Sequence, residues 1–416
     1  MKYVADFHIH SKYARAVSPR MDLENLDKAA KIKGIKVLGT GDFTHPKWLE
    51  QIKQKLEPAE PGLFKLKNNN SQTRFLLTAE ISCIYPKNGK TRKVHIIVFS
   101  PDIKTVEKIN TQLNLIGNLK SDGRPILGLD AKELVKIVLN INPDCFNVPA
   151  HIWTPWFSLL GSKSGFDSIE ECFEEYSKHI YALETGLSSD PAMNWRLSAL
   201  DRFTLISNSD SHSPERIGRE ANIFELKDIS YLNIINAIKS KDKKRFLYTI
   251  EFFPEEGRYH YDGHRKCNVC LSPEESKKSG NICPVCGKIL TIGVLNRVQE
   301  LADRDQGFIP KNAIPFKSLI PLTEIIGESI GLGVKTKGVD KEYQKLIKSF
   351  NNELNILLEV SQKDLESISS SKIAEGIIKV RKGEVFIKPG YDGEYGKVQI
   401  FSKLKKNKQV SQKTML

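Results

Sequence analysis

Nine side chains able to bind a divalent ion fall in or beside short apolar runs: His8, His10, Asp42, His45, Glu80, His95, His151, Asp210 and His212. His8 and His10 are two positions apart, as are Asp210 and His212, so on an extended chain each pair points to one face. Imidazole and carboxylate together suit Zn²⁺, Mn²⁺ or Fe²⁺, and a carboxylate can bridge two ions. A lone His95 in an apolar strand would be read as a core histidine, and a lone Asp42 as a turn cap. Nine such residues in equivalent places are better explained by one shared site. With no evident serine, cysteine or lysine nucleophile, the expected chemistry is hydrolysis by metal-activated water, paired ions steadying both reacting oxygens of a phosphate. Glu80, Asp210, His10 and His212 are the residues expected to carry it. Arg15, Arg216 and Arg219 flank the motif segments and are candidates to pair with phosphate oxygens, although surface salt bridges are the plainer role for each singly.

A second constellation is made of sulfur. Cys267-x-x-Cys270 and Cys283-x-x-Cys286 are twelve residues apart. Two such turns offer four thiolates to one tetrahedral ion, which predicts a structural zinc ribbon. A closed site of that kind leaves no position for substrate, so its expected work is folding and positioning. His260 and His264 stand nearby and are not needed to complete four thiolates. Cys83, Cys145 and Cys172 are isolated and read as buried structural thiols in a reducing compartment.

The elements that must position these residues follow a β-rich and helical alternation over residues 1–250, the rhythm of an α/β domain. Seven runs read as strands: YVADFHIH, KVLGTGDF, FLLTAEIS, KVHIIVFS, CFNVPAHIW, YALETG and TLISNSDSH. In a barrel, residues at strand ends converge on one mouth however far apart they lie in sequence. DLENLDKAAKIKG reads as a helix between an Asp cap and a Gly stop. Pro58 to Thr73 reads as a surface loop. Residues 259–292 hold the paired cysteines, and 293–396 read as a mostly helical region. There VLNRVQELADR and YQKLIKSFNNELNILLEV are expected helices, IIGESIGLGVKTKGV a Gly-interrupted connection, and GIIKVRKGEVFIKPGYDG a hairpin closing at Lys382-Gly383. Residues 397–416 carry six lysines and no acid, a basic tail.

Lys and Arg outnumber Asp and Glu by 63 to 50, a net charge of +13 that favours polyanionic partners, nucleic acid above all. No apolar run approaches the roughly 20 residues that span a bilayer. The first residues lack a signal-peptide pattern, so the expectation is a cytoplasmic protein that is associated with the nucleoid when bound to DNA.

FHIHSKYA, GDFTHP, the isolated Glu80, VHIIVF, PAHIW and NSDSH, in this order, resemble the polymerase-and-histidinol-phosphatase (PHP) superfamily. That resemblance implies a distorted (β/α)7 barrel with two or three catalytic ions, Zn²⁺, Mn²⁺ or Mg²⁺. It implies His8, His10, Glu80 and Asp210 around one ion, a second bridged by Glu80 to His95 and His151, and a third facing His45 and His212. Two departures fall on the third ion: Ala14, Arg15 and Ala16 stand where a further ligand is usual, and the usual adjacent Asp-His is spread over Asp42 and His45. With the ribbon, PLTEIIGESIGLGVKTKGV and KPGYDGEYGKVQIF following the barrel, nearly the whole chain resembles the endonuclease Q family. This implies a DNA repair enzyme that nicks damaged DNA 5′ to deaminated bases (hypoxanthine, uracil, xanthine) and abasic sites. Trp153 and Trp156, beside His151, would be placed to stack on an extruded base, core packing being the plainer role for at least one. Two alternatives remain: a PHP phosphatase of a small metabolite, and a non-catalytic DNA-binding subunit. The terminal QKTML carries only the beginning of a sliding-clamp motif, and a monomer is expected.

Overall fold

The computed structural model describes residues 1–67 and 71–401. Each of the seven runs contains a strand: β1 Lys2–Asp6, β2 Ile35–Gly39, β3 Arg74–Lys87, β4 Lys90–Ser100, β5 Phe146–Pro149, β6 Ala182–Glu184 and β7 Thr204–Ile206. Pairing runs β1–β2 and β2–β3 parallel, then β3–β4 and β4–β5 antiparallel. Ile152 N donates to Glu184 O at 3.1 Å, tying the end of β5 to β6, and β6 pairs with β7 in parallel. A bridge between Ile9 and Ser211 returns the chain to β1, which closes a distorted seven-stranded barrel. The distortion has a local cause. Asn88-Gly89, at φ 51° and 70°, makes the tight turn that folds β3 and β4 into one long antiparallel hairpin where a helix would keep them parallel.

Four of the seven strands stop short of the metal-ligand residues. Asp42, His151 and Asp210 adopt positive φ of 49°, 30° and 44°, a conformation in which the ladder cannot continue. At these three positions the apolar run carries the side chain to the barrel mouth, and a backbone kink turns it inward. Helix α1, Leu23–Lys33, forms as expected: the Asp22 side chain accepts from Asn25 N, and Gly34 at φ 89° ends it. Its Leu23, Leu26 and Ala30 are fully buried in the main core.

Two further strands, Ala221–Glu225 and Phe246–Glu251, extend the sheet outward from β1, and Phe316–Ser318 pairs in parallel with the second. The C-terminal region therefore joins the barrel sheet itself. Its helices bury Ile325, Val339, Leu346, Ile373 and Ile377 in one cluster with Ile223 and Ile250 of those outer strands.

Several expected elements are corrected. The hairpin at Lys382-Gly383 is instead the end of a helix, Ser371–Arg381, because Ile373, Ala374, Ile377 and Val380 recur at helical spacing and are buried. The strand Phe386–Lys388 pairs with Lys397–Gln399. IIGESI belongs to the helix Leu322–Ile330, ended by Gly331 at φ 70°. YQKLIKSFNNELNILLEV breaks into Lys337–Phe350 and Glu353–Leu358, where Asn351 turns at φ 72° and Asn352 caps the second helix. The expected loop after Pro58 contains one arm of a small strand pair, Leu56–Pro58 with Phe64–Leu66. Residues 402–416, with the QKTML end, lie outside the described residues. Among the described residues no helix is long and apolar enough to cross a membrane.

Candidate metal centre

His8, His10, Glu80 and Asp210 converge at the mouth with ligand atoms within 4.8 Å of one another, and Glu80, His95 and His151 form a second such group. Glu80 belongs to both. Its Oε2 lies 3.2 Å from His10 Nε2 and 3.5 Å from His8 Nε2, while its Oε1 lies 2.6 Å from His95 Nδ1 and 3.0 Å from His151 Nε2. Asp210 Oδ1 sits 3.1 Å from His10 Nε2 and 3.6 Å from His8 Nε2. His8 Nε2, His10 Nε2 and Asp210 Oδ1 are buried and lack hydrogen-bond partners. Orphaned buried polar atoms are costly unless something fills the space they face, and this donor set fits divalent ions.

The orientation of the imidazoles is imposed from behind. Glu184, fully buried, lies 3.0 and 3.1 Å from His8 Nδ1 through its two oxygens and also accepts from His151 N and Asn208 Nδ2. Asp42 accepts from His10 Nδ1 at 3.0 Å and from Ser11 N. Each carboxylate thereby fixes the tautomer that presents Nε2 to the ion position. Asp42 was expected to be a ligand; its oxygens are spent on His10 and Ser11, so its place is behind the ligand shell. Gly123 leaves room for it, since a Cβ there would collide with Asp42 Oδ2. His45 also stands outside both groups, stacked on Tyr13 at 4.6 Å where its backbone caps the next helix. His212 lies beside the first group, its ring 4.8 Å from His10, and its Nδ1–H donates to Asp210 O at 2.8 Å.

Access is one-sided. The Glu80, His8 and His10 side chains are at most 1% exposed, whereas Asp210 is 25%, Arg124 28% and His212 35% exposed. Arg124, which no sequence motif marks, places Nη1 3.1 Å from Glu80 Oε2. Burial opposes ionisation of Glu80, yet His95, Arg124 and His8 hold its carboxyl well below the usual range. Burial pushes the His95 imidazole down to about 4, against the opposing pull of the Glu80 carboxylate. Arg124 lies in a loop with no apolar run to flag it. Glu184 did carry a signal, as a carboxylate inside the YALETG strand run.

The candidate DNA-contact residues separate. Arg15 is 75% exposed on its side chain and Arg216 is exposed. Arg219 turns inward, donating from Nε and Nη2 to Ser209 O at 3.0 and 2.9 Å, so it braces the loop that carries Asp210. Trp153 is buried with Nε1 donating to Asn194 Oδ1, a core position. Trp156 is exposed, its ring 6.0 Å from Tyr259 ahead of the cysteine segment. The four expected zinc cysteines gather in one small domain. Within it Cys267, Cys283 and Cys286 cluster together with His264, while Cys270 lies on the strand Val269–Leu271.

Comparison with known proteins gives the same outline. The MJ0043 C-terminal domain family matches residues 321–384. The chain is 38% identical over 252 residues to the uncharacterized protein MJ0043 of Methanocaldococcus jannaschii, covering 59% of this chain and 31% of that protein. It thus spans less than a third of that relative's length. It is 29% identical to uncharacterized protein YqxK of Bacillus subtilis, over 96% of this chain and 99% of that one. The fold superposes on the crystal structure of the lesion-specific endonuclease PfuEndoQ from Pyrococcus furiosus with TM-score 0.86 and 31% identity, over 96% of both chains. It superposes with TM-score 0.84 and 31% identity on endonuclease Q in complex with a 27-mer duplex substrate bearing an abasic lesion at the active site, over 96% of this chain and 97% of that one. The likeness thus extends along nearly the full length, and the chain belongs to the endonuclease Q family.

Proposed function

We propose that the protein is a metal-dependent DNA repair endonuclease that hydrolyses the phosphodiester bond 5′ to deaminated bases and abasic sites. The observation that carries this reading is the bridging position of Glu80 between two ligand groups, at a mouth rimmed by Arg124 and His212, in a chain that matches endonuclease Q over 96% of its length. The complex of a relative with an abasic duplex supports DNA as the substrate. Divalent ions held by His8, His10, Glu80 and Asp210 and by His95 and His151 would lower the pKa of a water and offset the negative charge of the phosphate.

The remaining steps belong to the chain's own residues. Arg124 is placed to hold a non-bridging phosphate oxygen by a charge-assisted hydrogen bond. His212, its Nδ1–H committed to Asp210 O, leaves the Nε2 lone pair free to accept a proton from the attacking water. A damaged base must leave the stack to be read, and mispairing lowers the energy of doing so. Exposed Trp156 offers a ring on which such a base can stack.

The test uses labelled duplexes holding one uracil, hypoxanthine, xanthine or abasic site, with Mg²⁺, Mn²⁺ or Zn²⁺ supplied. The expected product is a single nick immediately 5′ to the lesion, lost in Asp210→Ala and Glu80→Ala. Hydrolysis of a phosphorylated metabolite with no cleavage of lesion-bearing DNA would sink the proposal.

A further inference from the structure

We infer that the ion of the small cysteine domain is held by His264, Cys267, Cys283 and Cys286, and that Cys270 is a free thiol. The argument begins with strand register. Asp262–His264 and Val269–Leu271 pair antiparallel, with Gly263 opposite Cys270 and His264 opposite Val269. Directly opposed residues on antiparallel strands share a face, and successive residues alternate. His264 therefore stands on the Val269 face, and Cys270 stands on the other.

The Val269 face is the one that meets the second cysteine turn. Val269, Cys283 and Leu290 form a buried cluster, with Cys267 and Leu271 packed against it. The opposite face is taken by Tyr391: a Cβ on Gly263 would collide with its ring. To bring Cys270 to the cluster the strand Val269–Leu271 would slip by one residue, which would turn Val269 and Leu271 out of the cluster they now fill. The hairpin is pinned against that slip. Gly263 exchanges both backbone hydrogen bonds with Thr291, Gly293 N donates to Asp262 Oδ1 at 2.6 Å, and Arg265 N donates to Asp392 Oδ2 at 2.7 Å.

Distances agree with this set. His264 Nδ1 lies 3.3 Å from Cys286 Sγ, and the four ligand atoms fall within 4.8 Å of one another. A tetrahedral zinc with Zn–S of about 2.3 Å and Zn–N of about 2.0 Å separates nitrogen from sulfur by roughly 3.5 Å. The spacing also permits it, because His264-x-x-Cys267 repeats the two-residue gap of a knuckle one step earlier in the chain.

The assignment rests on the small domain binding an ion at all, and the experiment keeps the two apart. The full chain is loaded with Co²⁺, and the sulfur-to-cobalt charge-transfer band is recorded. Only thiolate ligands produce that band, so the imidazole–carboxylate centre is silent in it. Cys270→Ser is expected to keep the wild-type intensity and ion content. His264→Cys is expected to raise the band by about a third, from three thiolates to four, and His264→Ser to lose the ion from this site. A fall of roughly a quarter in Cys270→Ser, or full ion retention in His264→Ser, overturns the ligand set. A wild-type chain with no such band overturns the underlying reading of an ion in this domain.

Discussion

At the scale of single residues the centre is built in two layers, and the outer one holds the inner in register. Glu184 and Asp42 touch no ion position, yet they decide which nitrogen His8 and His10 present. Replacing Glu184 by Gln removes one of two equivalent acceptors serving His8, His151 N and Asn208. Glu184→Gln is expected to weaken divalent-ion affinity by about tenfold to a hundredfold, read by calorimetric titration of the folded variant. Unaltered affinity would show that the imidazoles orient themselves. Arg124 makes the complementary case on the substrate side. Arg124→Ala is expected to lower single-turnover cleavage by about a hundredfold while ion binding is retained, the scale of losing one charged donor at a reacting oxygen. Equal cleavage by Arg124→Ala and wild type would confine this guanidinium to pairing with Glu80.

At the scale of elements, the segment after β5 shows how neighbouring aromatic residues take opposite roles. His151 kinks the chain at φ 30°, and the residues beyond it divide between core and solvent. Trp153→Ala is expected to destabilise the fold by about 3 to 5 kcal/mol in denaturant unfolding, because it empties a buried volume and strands the Asn194 amide. Trp156→Ala should leave stability within about 0.5 kcal/mol, as an exposed site does, and weaken binding of a lesion-bearing duplex. A stability loss in Trp156→Ala as large as that of Trp153→Ala would contradict the burial of the two rings.

At the scale of the whole molecule, the barrel and the C-terminal region are joined through a shared sheet and a buried acidic junction. Glu251 ends an outer strand, and the backbone oxygens of Glu255 and Glu256 accept from Gly390 N and Gly396 N. Burial pushes Glu251 up to about 8, Glu255 to about 7 and Glu256 to about 8, with Glu324 adding like charge beside Glu256. A carboxyl whose pKa is higher folded than unfolded stabilises the fold while both states are protonated, below the ordinary value of 4.5. That stability is lost as pH rises through 7 to 8, where the folded groups ionise. The melting temperature is therefore expected to fall from about pH 5 to about pH 8, and Glu256→Gln should flatten part of that slope. A profile that rises over this range, or is unchanged by Glu256→Gln, would contradict a protonated junction.

What the sequence determined by itself was the set of chemistry-bearing residues and the strands that carry them. Alternation in FHIH and NSDSH, apolar runs of strand length and turn residues between them are local properties, and local geometry is enough to read them. The order of motifs was likewise legible and led to the family. Which residue touches what was decided only by tertiary structure, because it depends on contacts between parts distant in the chain. Asp42 became an orienting carboxylate when the fold laid it against His10, and Arg219 turned inward to the Ser209 carbonyl. Arg124 and Glu184 entered the site from outside every motif. The same division applies to the cysteine domain. Spacing identified two knuckles, whereas the pairing of Gly263 with Cys270 assigned His264 and Cys270 to opposite faces, which no count of intervening residues can do.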